Sequence, residues 1–109
     1  MGKIIFITIE KFLEMQANKE KFKLVEVLPE ESYQNGHIPG AINIPLNKLG
    51  SLADKYLKKS DTIVVYCGSY SCQVSTKAAR KLLEMGYDNT FDFKAGKRGW
   101  QHTGLGLEK

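Results

Sequence analysis

Two cysteines in this chain, Cys67 and Cys72, are the residues best able to do covalent chemistry. Cys67 directly follows the apolar run Thr62–Tyr66 and precedes a segment with helical periodicity, so it stands in a strand-to-helix loop. Such loops lie at the carboxyl end of a parallel sheet, where ligands gather. Inward-turned loop amides and the positive end of the following helix dipole would lower the pKa of a cysteine there and stabilise its thiolate or a bound anion. The chemistry expected of Cys67 is therefore nucleophilic attack. The loop Gly68-Ser69-Tyr70-Ser71-Cys72-Gln73 has a glycine and small polar side chains that leave its amides free to cradle an anion. Taken alone, the same residues also allow Cys67 to be a small apolar group packed at a strand end.

The elements that would position this loop read as alternating strands and helices. Lys3–Thr8 is β-branched and apolar, and Ile9–Gln16 turns to helical spacing through Ile9, Phe12, Leu13 and Gln16. Lys23–Val27 reads as a second strand, and Glu30–Gln34 as a helical turn with Pro29 near its start. Asn35-Gly36 and Pro39-Gly40 mark turns around His37-Ile38, and Ala41–Ile44 is a brief extended segment closed by Pro45. Asn47 is placed to cap a helix reaching about Leu57. Thr62–Tyr66 lacks alternation, as a strand covered on both faces should. From about Gln73 to Met85, Val74, Ala78 and Leu82 share a side with Ala79 and Leu83, opposite Lys77, Arg80, Lys81 and Glu84. Thr90–Phe93 gives the last strand, and the glycine-bearing tail is the part expected to fray. This order implies an α/β fold with a parallel sheet.

With 109 residues, 42% hydrophobic and 26% charged, the chain suits one domain with one core. Two cysteines five positions apart are too few and too close to staple a secreted domain, and no apolar run approaches the roughly 18 residues that span a bilayer. A cytoplasmic monomer is expected, with no membrane or nucleic-acid partner. The net charge of +4 favours anionic partners, and the lysines are scattered rather than massed, which fits small anions.

The order Leu24-Val25-Glu26-Val27, then Tyr33-Gln34-Asn35-Gly36-His37-Ile38-Pro39-Gly40-Ala41-Ile42-Asn43-Ile44-Pro45, Val64-Val65-Tyr66-Cys67, Ala78-Ala79 with Leu82, and Ala95-Gly96 with Trp100 resembles a single-domain rhodanese along nearly the whole chain. The resemblance implies one rhodanese-like domain over 1–109, with its core at about 18–107, and a five-stranded parallel sheet flanked by helices on both sides. It implies a sulfurtransferase of the thiosulfate type, in which Cys67 takes a sulfane sulfur from thiosulfate or a persulfide donor, becomes a persulfide and passes the sulfur to a thiol or protein acceptor. The amides of Gly68, Ser69, Tyr70, Ser71, Cys72 and Gln73 would bind the sulfur anion. Neither cofactor nor metal is required.

The chain departs from the family's pattern at identifiable places. The usual Asp-Val-Arg is Glu26-Val27-Leu28, and Ser32 replaces an acidic residue, so both members of a common ion pair are missing. The active loop is about two residues longer and has no lysine or arginine between Cys67 and Lys77, which predicts weak thiosulfate binding. Cys72 falls within the lengthened loop. It could attack a persulfide or sulfenate on Cys67 and form a disulfide if the loop curls back, or it could simply pack there.

Among the other residues, His37 is expected to order the Gly36–Ala41 turn, and His102 to be solvated. Cysteine and histidine spacing does not suit zinc. Phe93 and Trp100 read as core anchors, and Lys94, Lys97 and Arg98 as a solvated basic rim. A non-turnover persulfide carrier or binding module is the main alternative function. A phosphatase or arsenate reductase on a related scaffold is a weaker one, because the arginine it would need six residues after the nucleophile is Gln73.

Overall fold

In the computed structural model, which describes residues 3–109, five short parallel strands form one sheet. In chain order the elements are β1 (Ile5–Ile7), α1 (Ile9–Ala17), β2 (Lys23–Glu26), α2 (Glu30–Asn35), β3 (Ile42–Asn43), a 3₁₀ turn (Leu46–Lys48), α3 (Leu49–Tyr56), β4 (Ile63–Tyr66), α4 (Val74–Glu84), β5 (Thr90–Phe93) and α5 (Gly96–His102). The strand order is β1-β5-β4-β2-β3, which puts β4 at the centre. Val65 of β4 pairs with Val25 of β2 and Asp92 of β5. All four residues of β4 are buried, as its unbroken apolar run requires of a strand covered on both faces.

Alternate strand residues feed two cores. Val25, Val27, Ile63 and Val65 pack with Leu49, Ala53, Ala78, Ala79, Leu82 and Tyr87, so α3 and α4 cover one face. Leu24, Val64, Tyr66 and Phe93 pack with Phe12, Met15 and Trp100, so α1 and α5 cover the other. Phe12 stacks on Phe93 with ring centroids 4.5 Å apart and meets Trp100 edge-on at 5.8 Å. Trp100 and Phe93 are thus core anchors, as their types suggested.

Two local expectations are corrected. Asn47 does not cap the third helix. It lies inside the 3₁₀ turn, and Lys48, which makes no side-chain cap bond, precedes α3. The tail also does not fray. Gly96–His102 winds into α5, and the residues after it are tied back to the body. His37 and Glu108 exchange two backbone hydrogen bonds of 2.8 Å, and the Trp100 indole donates to the Gly106 carbonyl at 2.9 Å. The first of these joins segments far apart in sequence, so local composition carried no sign of it.

Candidate functional site

Cys67 begins the loop that leaves the central strand, and the backbone around it is fixed from the far end of the chain. The Lys97 amide donates to the Cys67 carbonyl at 3.0 Å and the Arg98 amide to the Gly68 carbonyl at 2.9 Å. Gly96 makes this approach possible. Its φ is +63°, and a Cβ there would sit 2.3 Å from the Cys67 oxygen. In a trans peptide the carbonyl and the next N–H point in opposite directions. Turning the Cys67 carbonyl to α5 therefore turns the Gly68 N–H into the loop, on the side where it favours ionisation of the Cys72 sulfur.

The loop curls back on itself. The Cys72 amide donates to the Ser69 carbonyl at 3.0 Å, closing a turn, and the Ser69 and Ser71 hydroxyls lie 3.0 Å apart. The Cys72 carbonyl accepts both the Lys94 ammonium, at 2.5 Å, and the Cys67 thiol, at 3.6 Å. The two thiols are close enough to influence each other's ionisation, the Cys67 proton opposing its own loss and favouring that of Cys72. The amides of Gly68 and Val74 lie on the side of the Cys72 sulfur and favour its ionised form. The Cys67 sulfur faces the amide and hydroxyl of Ser75. That hydroxyl is buried and has no hydrogen-bond partner, and it lies close enough to the Cys67 sulfur to favour its ionised form.

This distribution of donors sets the electrostatics and corrects the expectation of an acidic Cys67. Burial pushes the Cys67 thiol above its ordinary pKa, and the bond it donates to Cys72 pushes it further; the Ser75 hydroxyl and amide pull it down without prevailing. For Cys72, partial burial opposes ionisation. The bond from Cys67, the Val74 and Gly68 amides and the Lys94 ammonium outweigh it, and its thiol lies below the ordinary value. The electropositive loop exists, and the sulfur it acidifies is Cys72. Cys67 has no solvent exposure, whereas Cys72 is partly exposed.

The remaining loop residues face outward. Tyr70 is 65% exposed. Ser69, Tyr70 and Ser71 line a cavity of about 320 Å³ together with Ala95, Arg98 and His102. The basic group absent from the loop's own sequence is thus supplied in space by Arg98. Cys67 lines neither this cavity nor the larger one of about 650 Å³ between Val27, Pro45, Leu46 and Val74. Gln73 sits at the start of α4 without a side-chain capping bond.

Lys97 is not part of a solvated rim. Its ammonium lies 3.0 Å from Oε2 of the buried Glu26, a charge contact without hydrogen-bond geometry, and donates to the Ser32 carbonyl at 2.8 Å. The Tyr66 hydroxyl donates to Glu26 Oε1 at 2.8 Å and accepts the Ile38 amide at 3.1 Å. The ion pair missing from the sequence at Glu26-Val27-Leu28 and Ser32 is replaced by one whose cation comes from α5. Lys94 also leaves the rim to hold the Cys72 carbonyl.

His37 is buried, stacks on Tyr33 with centroids 3.8 Å apart, and has Nδ1 3.0 Å from the Tyr33 carbonyl; this is the ordering role expected of it. His102 is exposed. Among the described residues no three histidines, cysteines or carboxylates gather as a metal site would require. Sequence reasoning missed Ser75 and the loop-holding role of Lys94. A small polar residue early in the helix after the nucleophile was the available signal for Ser75, and Lys94 offered none.

Comparison with known proteins agrees with this architecture. The chain is 41% identical over 64 residues to the thiosulfate sulfurtransferase PspE of Escherichia coli, covering 58% of this chain and 60% of PspE. It is 30% identical over 94 residues to YrkF of Bacillus subtilis, covering 86% of this chain and 49% of YrkF. It spans about half or less of the length of several curated relatives it matches. The crystal structure of BH2092 from Bacillus halodurans superposes with a TM-score of 0.85 at 30% identity, covering 95% of this chain and 76% of that one. With the model of the Rhodanese-like domain matching residues 8–103, the chain belongs to the rhodanese-like family.

Proposed function

We propose that this chain is a sulfurtransferase that takes a sulfane sulfur from thiosulfate or a persulfide donor onto Cys67 and passes it to a thiol or protein acceptor. The observation that carries this reading is the surroundings of the Cys67 sulfur at the end of the central strand: the amide and otherwise unpartnered hydroxyl of Ser75 on one side and the Cys72 thiol on the other. Sulfur-transfer relatives in the same family support it.

The chemistry follows from the pair's protonation. When Cys72 is ionised, the form its lowered pKa favours, the Cys67 proton moves to Cys72 as the Cys67 sulfur attacks the outer sulfur of thiosulfate. The bond between the two thiosulfate sulfurs breaks, sulfite leaves with the electron pair, and Cys67 holds a persulfide whose terminal anion meets the Ser75 donors. Arg98 and His102 beside the loop give an anionic donor a place to approach. A thiol acceptor then attacks the terminal sulfur and frees Cys67.

A second reading, a carrier that is loaded by a partner protein, is favoured by the complete burial of Cys67. Incubation with thiosulfate and cyanide, beside Cys67→Ser, separates the two. Cys67-dependent thiocyanate at multiple turnovers is expected of the transferase; one persulfide per chain without turnover assigns the carrier. Thiocyanate formation unaffected by Cys67→Ser refutes both.

A further inference from the structure

We propose that Cys67 and Cys72 act as a dithiol that discharges the persulfide formed on Cys67, so that the chain releases hydrosulfide and becomes an intramolecular disulfide. The inference rests on the Cys67 persulfide reading and adds a second product and a redox cycle to it. The Cys72 sulfur, which received the Cys67 proton during loading, attacks the inner sulfur of the persulfide and hands that proton to the terminal sulfur anion. The Cys67–Cys72 sulfur bond forms, the bond to the sulfane sulfur breaks, and that sulfur leaves as hydrosulfide with the electron pair. The sulfane sulfur is reduced while the two cysteine sulfurs are oxidised. An external thiol of the small-molecule or protein-dithiol class then reduces the disulfide and is itself oxidised.

Three observations converge on this step. The loop curls through the Cys72-to-Ser69 turn and brings the Cys67 sulfur within 3.6 Å of the Cys72 carbonyl, so side-chain rotation rather than a new backbone path brings the two sulfurs together. The donors are divided unequally: Gly68 and Val74 aim amides at the Cys72 sulfur, and Lys94 grips its carbonyl. A sulfur that only filled space would have no use for two amide donors. Finally, Cys67 is sealed from solvent while Cys72 is partly open. A buried persulfide is therefore reached first by the neighbour inside the loop, and an attacking group held in contact gains greatly in rate over one arriving from solution.

The test compares the reduced full chain with Cys72→Ser, each loaded with thiosulfate and, in a second arm, with inorganic polysulfide. Samples are quenched with an alkylating agent, and mass spectrometry is read beside released sulfide. Wild type is expected to lose the mass of two hydrogens through a Cys67–Cys72 linkage, with one sulfide released per linkage. Cys72→Ser is expected to keep the mass of one added sulfur on Cys67 with a lifetime at least about ten-fold longer. A wild-type chain that holds a Cys67 persulfide as long as the variant does, or that carries the added sulfur on Cys72 without a disulfide, overturns the inference. The polysulfide arm on wild type needs no variant, and its product, disulfide with released sulfide or a lasting persulfide, answers the question even if Cys72→Ser misfolds. Failure of thiosulfate to load Cys67 in a folded Cys72→Ser chain counts instead against the thiosulfate reading, and the polysulfide arm still decides the dithiol step.

Discussion

Gly96→Ala is the sharpest test of how α5 holds the active loop. A Cβ at this position would lie 2.3 Å from the Cys67 oxygen, 3.0 Å from the Cys67 carbonyl carbon and 3.1 Å from the Gly68 carbon. All three are backbone atoms, so no side chain can swing aside. Reaching even the 3.0 Å below which a Cβ is essentially never found requires α5 and the loop to part by about 0.7 Å. Alanine at a φ of +63° adds about 1–2 kcal/mol of left-handed strain. Parting the segments weakens the Lys97-to-Cys67 and Arg98-to-Gly68 bonds, at about 1 kcal/mol each. The expected loss is about 3–4 kcal/mol, a fall of roughly 2 M in the urea midpoint for a domain of this size. Gly104→Ala is the control, because Gly104 has a φ of +86° with nothing within 4 Å of its Cβ, and only the strain of about 1–2 kcal/mol applies. Urea unfolding of both variants gives the difference, and persulfide loading of Cys67 in Gly96→Ala is expected to slow roughly 10²-fold as the loop is displaced. Equal destabilisation by the two substitutions would refute the claim that α5 braces Cys67.

Three further outcomes are expected. Alkylation should reach Cys72 before Cys67 and begin at a lower pH than for an ordinary cysteine, while Cys67→Ala should move the Cys72 midpoint upward by removing the donor beside it; pH-resolved iodoacetamide rates with peptide mapping that find Cys67 faster would sink this assignment. Lys97→Met leaves the buried Glu26 carboxylate without its cation and should cost about 3–5 kcal/mol, most of it recovered in the Glu26→Gln/Lys97→Met double variant; equal losses in single and double, measured by denaturant unfolding, would contradict the pairing. Burial and its bond to Asp54 push the Tyr87 hydroxyl from 10.0 up to about 12, so the stability it contributes is whole below pH 10 and declines as pH rises toward 12. Tyr87→Phe should flatten that decline, and unfolding midpoints with the same alkaline slope in both proteins would count against it.

The thiol pair gives the lengthened loop a physical purpose. In a shorter loop Cys67 would have to lower its own pKa with surrounding amides. Here burial and the neighbouring Cys72 both hold the proton on Cys67, so a sealed nucleophile need not rest as an isolated buried charge. Protection from solvent and readiness to react are then divided between two sulfurs, and the Ser75 hydroxyl remains free to meet whatever anion Cys67 comes to carry.

The amino-acid sequence by itself determined the alternation of strands and helices, the buried central strand, and a cysteine at that strand's end. Each of these is written in neighbouring residues: the apolar run Thr62–Tyr66, the helical spacing of Val74 to Leu83, and the Gly36–Ala41 turn. Strand and helix bounds agree with them within a residue or two. Only the tertiary structure decided in which direction each thiol's pKa moves, because that depends on burial and on where the Gly68, Val74 and Ser75 groups lie once α5 has turned the Cys67 and Gly68 carbonyls. It also decided that Lys97 completes the Glu26 pair, that Lys94 clamps the loop, and that the glycine-bearing tail is bound to His37. Periodicity and turn chemistry are local properties of the chain, whereas ionisation and charge pairing follow distances in space, and those exist only after segments far apart in sequence have packed.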